Sequence, residues 1–270
     1  MLMNAILTAG GIPQVGEPLF EFTLGQPKAL LDIAGKPMIQ WVLDAISEAH
    51  FIHRVVVVGL EEGIPLYCTK PMTILPQQGG LFENLLAAVK TLQAIEPAAK
   101  KVIAVSSDVP VLKGFMLDWF IDEVLKSNEE VYYTVIAREV MEARFPQARR
   151  SYYRLKDVEV CGADVHAFDM RVITHRPLLW QKLFATRKNA FKQASLIGFD
   201  VFLAFLFRRW TLDKVAQKVA QKVGVRGRAI LCPYPELGMD VDKPAHYHLV
   251  MQDLQRAYVE HGLETINTVG

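Results

Sequence analysis

Apolar residues recur along the first half of the chain in two alternating rhythms. Short runs, "NAILTA" (4–9), "RVVVVG" (54–59), "MTILP" (72–76) and "KVIAVSS" (101–107), are β-branched or continuously apolar and end at turn residues. They predict buried strands. Between them the period lengthens to that of a helix. "PMIQWVLDAISEA" (37–49) opens on a proline suited to a first helical turn and aligns Ile39, Val42, Leu43 and Ile46. "FENLLAAVKTLQAI" (82–95) aligns Leu85, Leu86, Val89, Leu92 and Ile95, and "GFMLDWFIDEVLKSN" (114–128) is amphipathic as well. Strands alternating with helices predict an α/β fold, with a mostly parallel central sheet flanked by helices.

The second half breaks the alternation. "EVYYTVIARE" (130–139) and "SYYRLKDVEVCGADVHAF" (151–168) read as strands, the latter turning near Lys156–Asp157. From about 169 to 224 the pattern is helical. Within it "TLDKVAQKVAQKVG" (211–224) starts at a Thr211 N-cap and stops at Gly224. A strand, "RGRAILC" (226–232), a turn, "GMDVDKP" (238–244), and a last helix, "AHYHLVMQDLQRAYVEHG", complete the chain. No Ser/Gly-rich linker interrupts it, so residues 1–270 are expected to form one domain, with 169–225 as a helical insertion.

Charge changes that picture. Between Arg171 and Arg228 thirteen Lys and Arg face only Asp200 and Asp213, while the whole 270-residue chain is +1, so the remainder is about ten charges negative. Such a basic segment suits an anionic partner, or is simply a solvated helical surface. Its stripe of Lys214, Lys218 and Lys222 is the candidate acceptor-binding face. The apolar "SLIGFDVFLAFLF" (195–207) could line a pocket for an acceptor with a hydrophobic part, or form a homodimer contact. It is shorter than the roughly 18 residues of a membrane span and carries Asp200. Cys68, Cys161 and Cys232 lie in no ligand pattern, and the N-terminus has no basic leader, so a reducing cytoplasm is expected.

Four pieces carry candidate chemistry. "LTAGGIPQ" puts a glycine turn after the first strand; "QPKALLDIAGKP" follows with the first basic residue, Lys28; "VSSDVPVL" (105–112) ends a strand on Asp108; and "MDVDKP" adds Asp240 and Asp242. In open α/β sheets ligands sit beyond the carboxyl ends of the strands, which places Gly10–Gly11 and Asp108 on one edge.

Together these pieces resemble the MobA-like nucleotidyltransferases, over residues 3–112 and again at 226–255. That resemblance implies a nucleotide-diphospho-sugar transferase-like fold of GT-A-like, Rossmann-like type. It implies transfer of a nucleoside monophosphate from an NTP to a phosphorylated or hydroxyl acceptor, with release of pyrophosphate. It assigns Ala9, Gly10, Gly11 and Ser107 to the nucleotide, Lys28 to a phosphate, and Asp108 with Asp242 or Asp240 to a Mg²⁺ or Mn²⁺ ion. "PQQGGLFENLLAAV" resembles the base-contacting segment: Gln78, Gly79 and Gly80 would meet a base edge and Asn84 would face the pocket. A glycine turn with an ordinary helical asparagine fits equally. Gly162 in "VCGADVHAF" would let the acceptor approach.

The resembling loop normally carries a basic residue near Gln14, and here it has none. Either the basic insertion reaches over to supply that charge, or the protein is a catalytically weak nucleotide-binding or nucleic-acid-binding relative. A dinucleotide-dependent oxidoreductase fits poorly, since G-x-G-x-x-G is absent, and the missing G-K-[ST] excludes a Walker-type NTPase. Nucleic acid is not the expected partner, because the basic segment lacks a recognised binding pattern.

Overall fold

A computed structural model of the chain describes residues 2–186, 196 and 207–267. The first strand, β1 (Met3–Thr8), leads through the glycine turn to a short helix, α1 (Phe20–Thr23), and a 3-10 turn at Lys28–Leu30. A two-residue hairpin, β2 (Asp32–Ile33) and β3 (Lys36–Pro37), precedes α2 (Met38–Glu48). Then come β4 (Ile52–Val58), β5 (Met72–Leu75), α3 (Leu81–Ile95), β6 (Lys101–Ser106), α4 (Gly114–Leu125) and β7 (Val131–Ala137). The second half holds α5 (Arg138–Arg144), β8 (Tyr153–Arg154), β9 (Glu159–Gly162), β10 (Val165–Asp169), α6 (Met170–His175), α7 (Pro177–Thr186), α8 (Leu212–Val223), β11 (Gly227–Cys232) and α9 (Pro244–Asn267).

The main sheet runs β5-β4-β1-β6-β10-β7-β9-β8, with β11 on the other side of β7. Strands β5, β4, β1 and β6 are parallel, as the alternation predicts. Strand β10 lies antiparallel to β6 and β7, and β11 parallel to β7.

The segment read as two strands with one turn holds three. A hairpin turn closes where expected, with the Leu155 amide donating to the Val158 carbonyl at 2.9 Å. After it, β9 and β10 follow one another along β7, interrupted at Ala163–Asp164, where the Asp164 amide bonds the Leu237 carbonyl instead of a neighbouring strand (2.8 Å). Breaks of this kind re-aim side chains beside functional sites. The run read as strand to Glu139 ends at Ala137, because α5 turns Met141 into the core.

Alternate residues of each central strand feed two cores. Ala5, Leu7, Val55, Val57, Ile103 and Val105 pack against the side of α2 and α4; Ile6, Val56, Val58 and Val102 pack with Phe82, Leu85 and Val89 of α3. Each fully buried aliphatic side chain contributes about 1.5–3 kcal/mol, so the sheet ends that carry the site are rigidly held. Helix α8 has the ends its sequence predicts: the Thr211 hydroxyl accepts from the Lys214 amide, and Gly224 stops it at φ 76°. It covers Val135 and Val160 with Val215 and Val219. No helix among the described residues is long and apolar enough to cross a membrane. Of the apolar 195–207 stretch only Leu196 and Phe207 lie within the described residues.

Candidate active site

The glycine turn is shaped by its neighbours. The Ala9 amide continues the sheet to Val58 (2.8 Å), and a Cβ added at Gly10 would meet Gln77 Oε1 at 2.0 Å and Asn84 Nδ2 at 2.6 Å. Gly59 presses from beside it: at φ 109°, its added Cβ would lie 2.3 Å from the Gly10 nitrogen. Gly10 is therefore required by packing, whereas Gly11 opens onto free space. The Lys28 amide donates to the Gly11 carbonyl at 2.8 Å, which ties the 3-10 turn to the glycine turn.

At the end of β6, Ser107 is anchored by its amide to the Thr8 carbonyl (3.0 Å) and Asp108 follows, 9 % exposed. The Val241 amide donates to the Asp108 carbonyl at 2.9 Å, so the backbone itself joins Asp108 to the turn that carries Asp240 and Asp242. Among the described residues, Asp108, Asp240 and Asp242 form a carboxylate cluster whose ligand atoms lie within 4.8 Å of one another.

Two cations meet them. The Lys28 ammonium is hydrogen-bonded to Asp108 and lies 2.7 Å from Asp242 Oδ1, and Arg150 pairs with Asp240. Burial alone would favour neutral lysine, but attraction to Asp108 and Asp242 outweighs it and holds the Lys28 pKa above the usual value. Burial likewise opposes ionised Asp242, and Lys28 reverses the balance, keeping that carboxyl below its ordinary range. Asp108 Oδ1 stays buried without a hydrogen-bond partner. An oxygen-only cluster in which this buried carboxylate oxygen lacks a donor fits a hard divalent cation such as Mg²⁺ or Mn²⁺.

Three further side chains complete the site, and the sequence did not mark them. Arg150 also reaches the Gly162 carbonyl at 3.5 Å. Asp164, at the β9–β10 break, has its pKa pushed up to about 8, first by burial and then by the negative charge of Asp108. His246 takes the Ala148 carbonyl with Nε2 at 2.9 Å and the Asp242 amide with Nδ1 at 3.5 Å, the pattern of a neutral Nε2–H imidazole. Burial lowers its pKa accordingly. His246 thus pins the Asp242 turn to the loop that carries Arg150. The cations reach the cluster from a 3-10 turn and an irregular loop, neither of which has a periodic signature.

The remaining expected residues fall into two groups. Asn84 is buried; its Oδ1 accepts from the Gln78 amide (2.8 Å) and its Nδ2 donates to Gln77 Oε1 (2.9 Å). It organises the 77–80 turn from beneath. Gly79 holds φ 126°, and the Gly80 amide bonds the Glu83 carboxylate, which also accepts from Gln181 of α7. The start of the basic segment, α7, is therefore docked beside this turn. Gly162 makes room for Tyr133, whose hydroxyl would lie 3.1 Å from an added Cβ. Tyr133 stacks on His166 with centroids 4.6 Å apart, and burial pushes the His166 pKa down to about 4. Lys214 and Lys222 are exposed and Lys218 half-buried on α8, which packs on β11.

A family described as the MobA-like NTP transferase domain matches residues 22–229. The chain belongs to that family. The match takes in Lys28 and Asp108, while Gly10–Gly11 and the Asp240–Asp242 turn of this MobA-like protein lie outside it. A hypothetical transferase from Thermus thermophilus is similar over 92 % of this chain and 100 % of its own, at 32 % identity and a TM-score of 0.77. CMP:2-keto-3-deoxy-manno-octonic acid synthetase, solved with CTP, is similar over 95 % and 100 %, at 15 % identity and TM-score 0.58. A 4-diphosphocytidyl-2C-methyl-D-erythritol synthase from Anaerococcus prevotii is similar over 94 % and 98 %, at 12 % and 0.53. The latter two show the fold alone. None of the curated proteins matches the chain.

Proposed function

We propose that this MobA-like protein transfers a nucleoside monophosphate from an NTP to a phosphorylated or hydroxyl acceptor and releases pyrophosphate. One observation carries the reading: Lys28, Asp108 and Asp242, drawn from positions up to 214 residues apart, meet beside a glycine turn at the carboxyl edge of the parallel strands. The reaction needs no covalent enzyme intermediate. The acceptor oxygen attacks the α-phosphorus, and pyrophosphate leaves with the electrons of the broken P–O bond. The protein's task is alignment and charge neutralisation.

Asp108, Asp240 and Asp242 would hold a Mg²⁺ or Mn²⁺ ion, which when bound offsets charge on the phosphate oxygens. Gly11 leaves space for the triphosphate, and Lys28 stands at its side. The turn at Gln78–Gly80 would take the base. The neighbour solved with CTP makes CTP the first nucleotide to try. The basic face of α8, with Lys214, Lys218 and Lys222, and the Gly162 strand would serve an anionic acceptor, whose hydrophobic part would lie near the 195–207 stretch.

A catalytically silent nucleotide-binding protein is the second reading, and one observation favours it. The Gln14 amide is taken by the Glu17 carboxylate at 2.8 Å, which puts a negative charge in the loop where the phosphates would lie. A pyrophosphate-release screen of four NTPs against pooled phosphorylated acceptors with Mg²⁺ separates the two. Asp108-dependent pyrophosphate release with any pair supports transfer; nucleotide binding with no release from any pair supports the silent reading.

A further inference from the structure

The carboxylate cluster already holds a cation, the ammonium of Lys28. It bridges Asp108 and Asp242, two of the three candidate metal ligands, with its side chain 16 % exposed. Asp240 is meanwhile paired with Arg150. A divalent ion bridging Asp108 and Asp242 would need the place that the Lys28 ammonium occupies, and two cations cannot share it without strong repulsion. Lys28 cannot travel far when displaced, because its own amide is hydrogen-bonded to Gly11. Its ammonium would stay beside the glycine turn, where the chain supplies no other basic residue before the first long helix except Lys36, which is paired with Asp44. Asp242, with its side chain 55 % exposed, is the open side of the cluster.

We propose that Lys28 is a built-in counter-ion that the divalent cation displaces, so that metal and triphosphate enter as a coupled pair. This rests on the nucleotidyl-transfer reading above. Metal alone has to expel a lysine that then lacks a partner, and triphosphate alone finds the lysine engaged. When both are present, the metal takes the carboxylates and the freed ammonium takes a phosphate. By linkage each ligand tightens the other.

The test is Mn²⁺ binding to the full chain without nucleotide, followed by the electron paramagnetic resonance of free Mn²⁺. Lys28→Met should bind Mn²⁺ about tenfold more tightly than wild type, since the competing occupant is gone. Asp108→Asn should abolish binding in both backgrounds. In a second measurement with labelled CTP, Mn²⁺ should tighten nucleotide binding to wild type more than to Lys28→Met. Should Lys28→Met fail to fold without metal, its refolding on addition of Mn²⁺ is the expected result, and Lys28→Gln then serves for the titration. Asp108-dependent Mn²⁺ binding that is equal or weaker in both Lys28 variants overturns the exchange alone. Absence of Asp108-dependent binding in every protein overturns the metal reading and the exchange with it.

Discussion

Asp108 combines burial, an unpartnered oxygen and a lysine neighbour, and each makes its charge matter more than its shape. Asp108→Asn keeps the shape. Turnover should fall at least a hundredfold, about 2.7 kcal/mol of barrier, with the urea midpoint little changed; activity within tenfold of wild type would remove Asp108 from the chemistry. The two glycines of the turn should separate stability from binding. Gly10→Ala, whose new methyl would strike Gln77 and Asn84, should cost about 1–3 kcal/mol in urea unfolding. Gly11→Ala meets nothing and should stay within about 0.5 kcal/mol, yet weaken CTP binding, because its methyl projects where phosphates would lie. Unchanged CTP affinity in Gly11→Ala would move the phosphates elsewhere.

His166 gives a pH test. Its folded pKa of about 4 lies below the 6.5 of a free histidine, so between these values the unfolded chain binds more protons. Its contribution is therefore full above pH 6.5 and is lost as pH falls. Asp164 has the opposite sign: its raised folded value stabilises at low pH and the gain disappears as pH rises toward 8. Comparing wild type with His166→Asn isolates the histidine, since the asparagine oxygen can still accept from the Thr134 amide, which now donates to Nδ1 at 3.1 Å. The stability advantage of wild type should shrink by roughly 2 kcal/mol between pH 7.5 and 4.5. A constant difference would show an imidazole that titrates normally.

Elements with a local cause could be read from the chain. The β-branched runs became β1, β4, β5 and β6, and Thr211 and Gly224 bound α8 because an N-cap hydroxyl and a left-handed glycine act within one turn. Elements with a tertiary cause could not. Nothing in "CGADVH" announces that the strand breaks at Ala163–Asp164; the break exists because Leu237, over seventy residues later, offers its carbonyl to Asp164. Helix α5 was hidden by the β-rich run that precedes it. The same division holds for the site. Asp108 and Lys28 stood out by their places after a strand and a glycine turn, whereas Arg150 and His246 matter only through partners brought to them by folding. Among the described residues the cations that meet the carboxylates are Lys28 and Arg150; Arg187, Lys188 and Lys192 of the basic insertion lie outside the described residues.

At the scale of the molecule, the proposed acceptor role of the basic α8 stripe predicts a salt-dependent effect of charge reversal. Changing Lys214, Lys218 and Lys222 together to Glu should raise the apparent KM for an anionic acceptor sharply at low salt. The gap from wild type should close as salt screens the field. Equal kinetics at both salt concentrations would make the stripe a solvated helix face.

The turn that bears Asp240 and Asp242 is joined by backbone to Asp108 and through His246 to the Arg150 loop. During synthesis the parallel strands and Lys28 leave the ribosome well before that turn exists. A nascent chain halted before residue 240 would carry the parallel strands with Lys28, Asp108 and Arg150 but neither late aspartate, and so would lack two of the three candidate metal ligands. On the proposed function, the placement of two late aspartates would make arrival of the 240–242 turn a precondition for holding the metal.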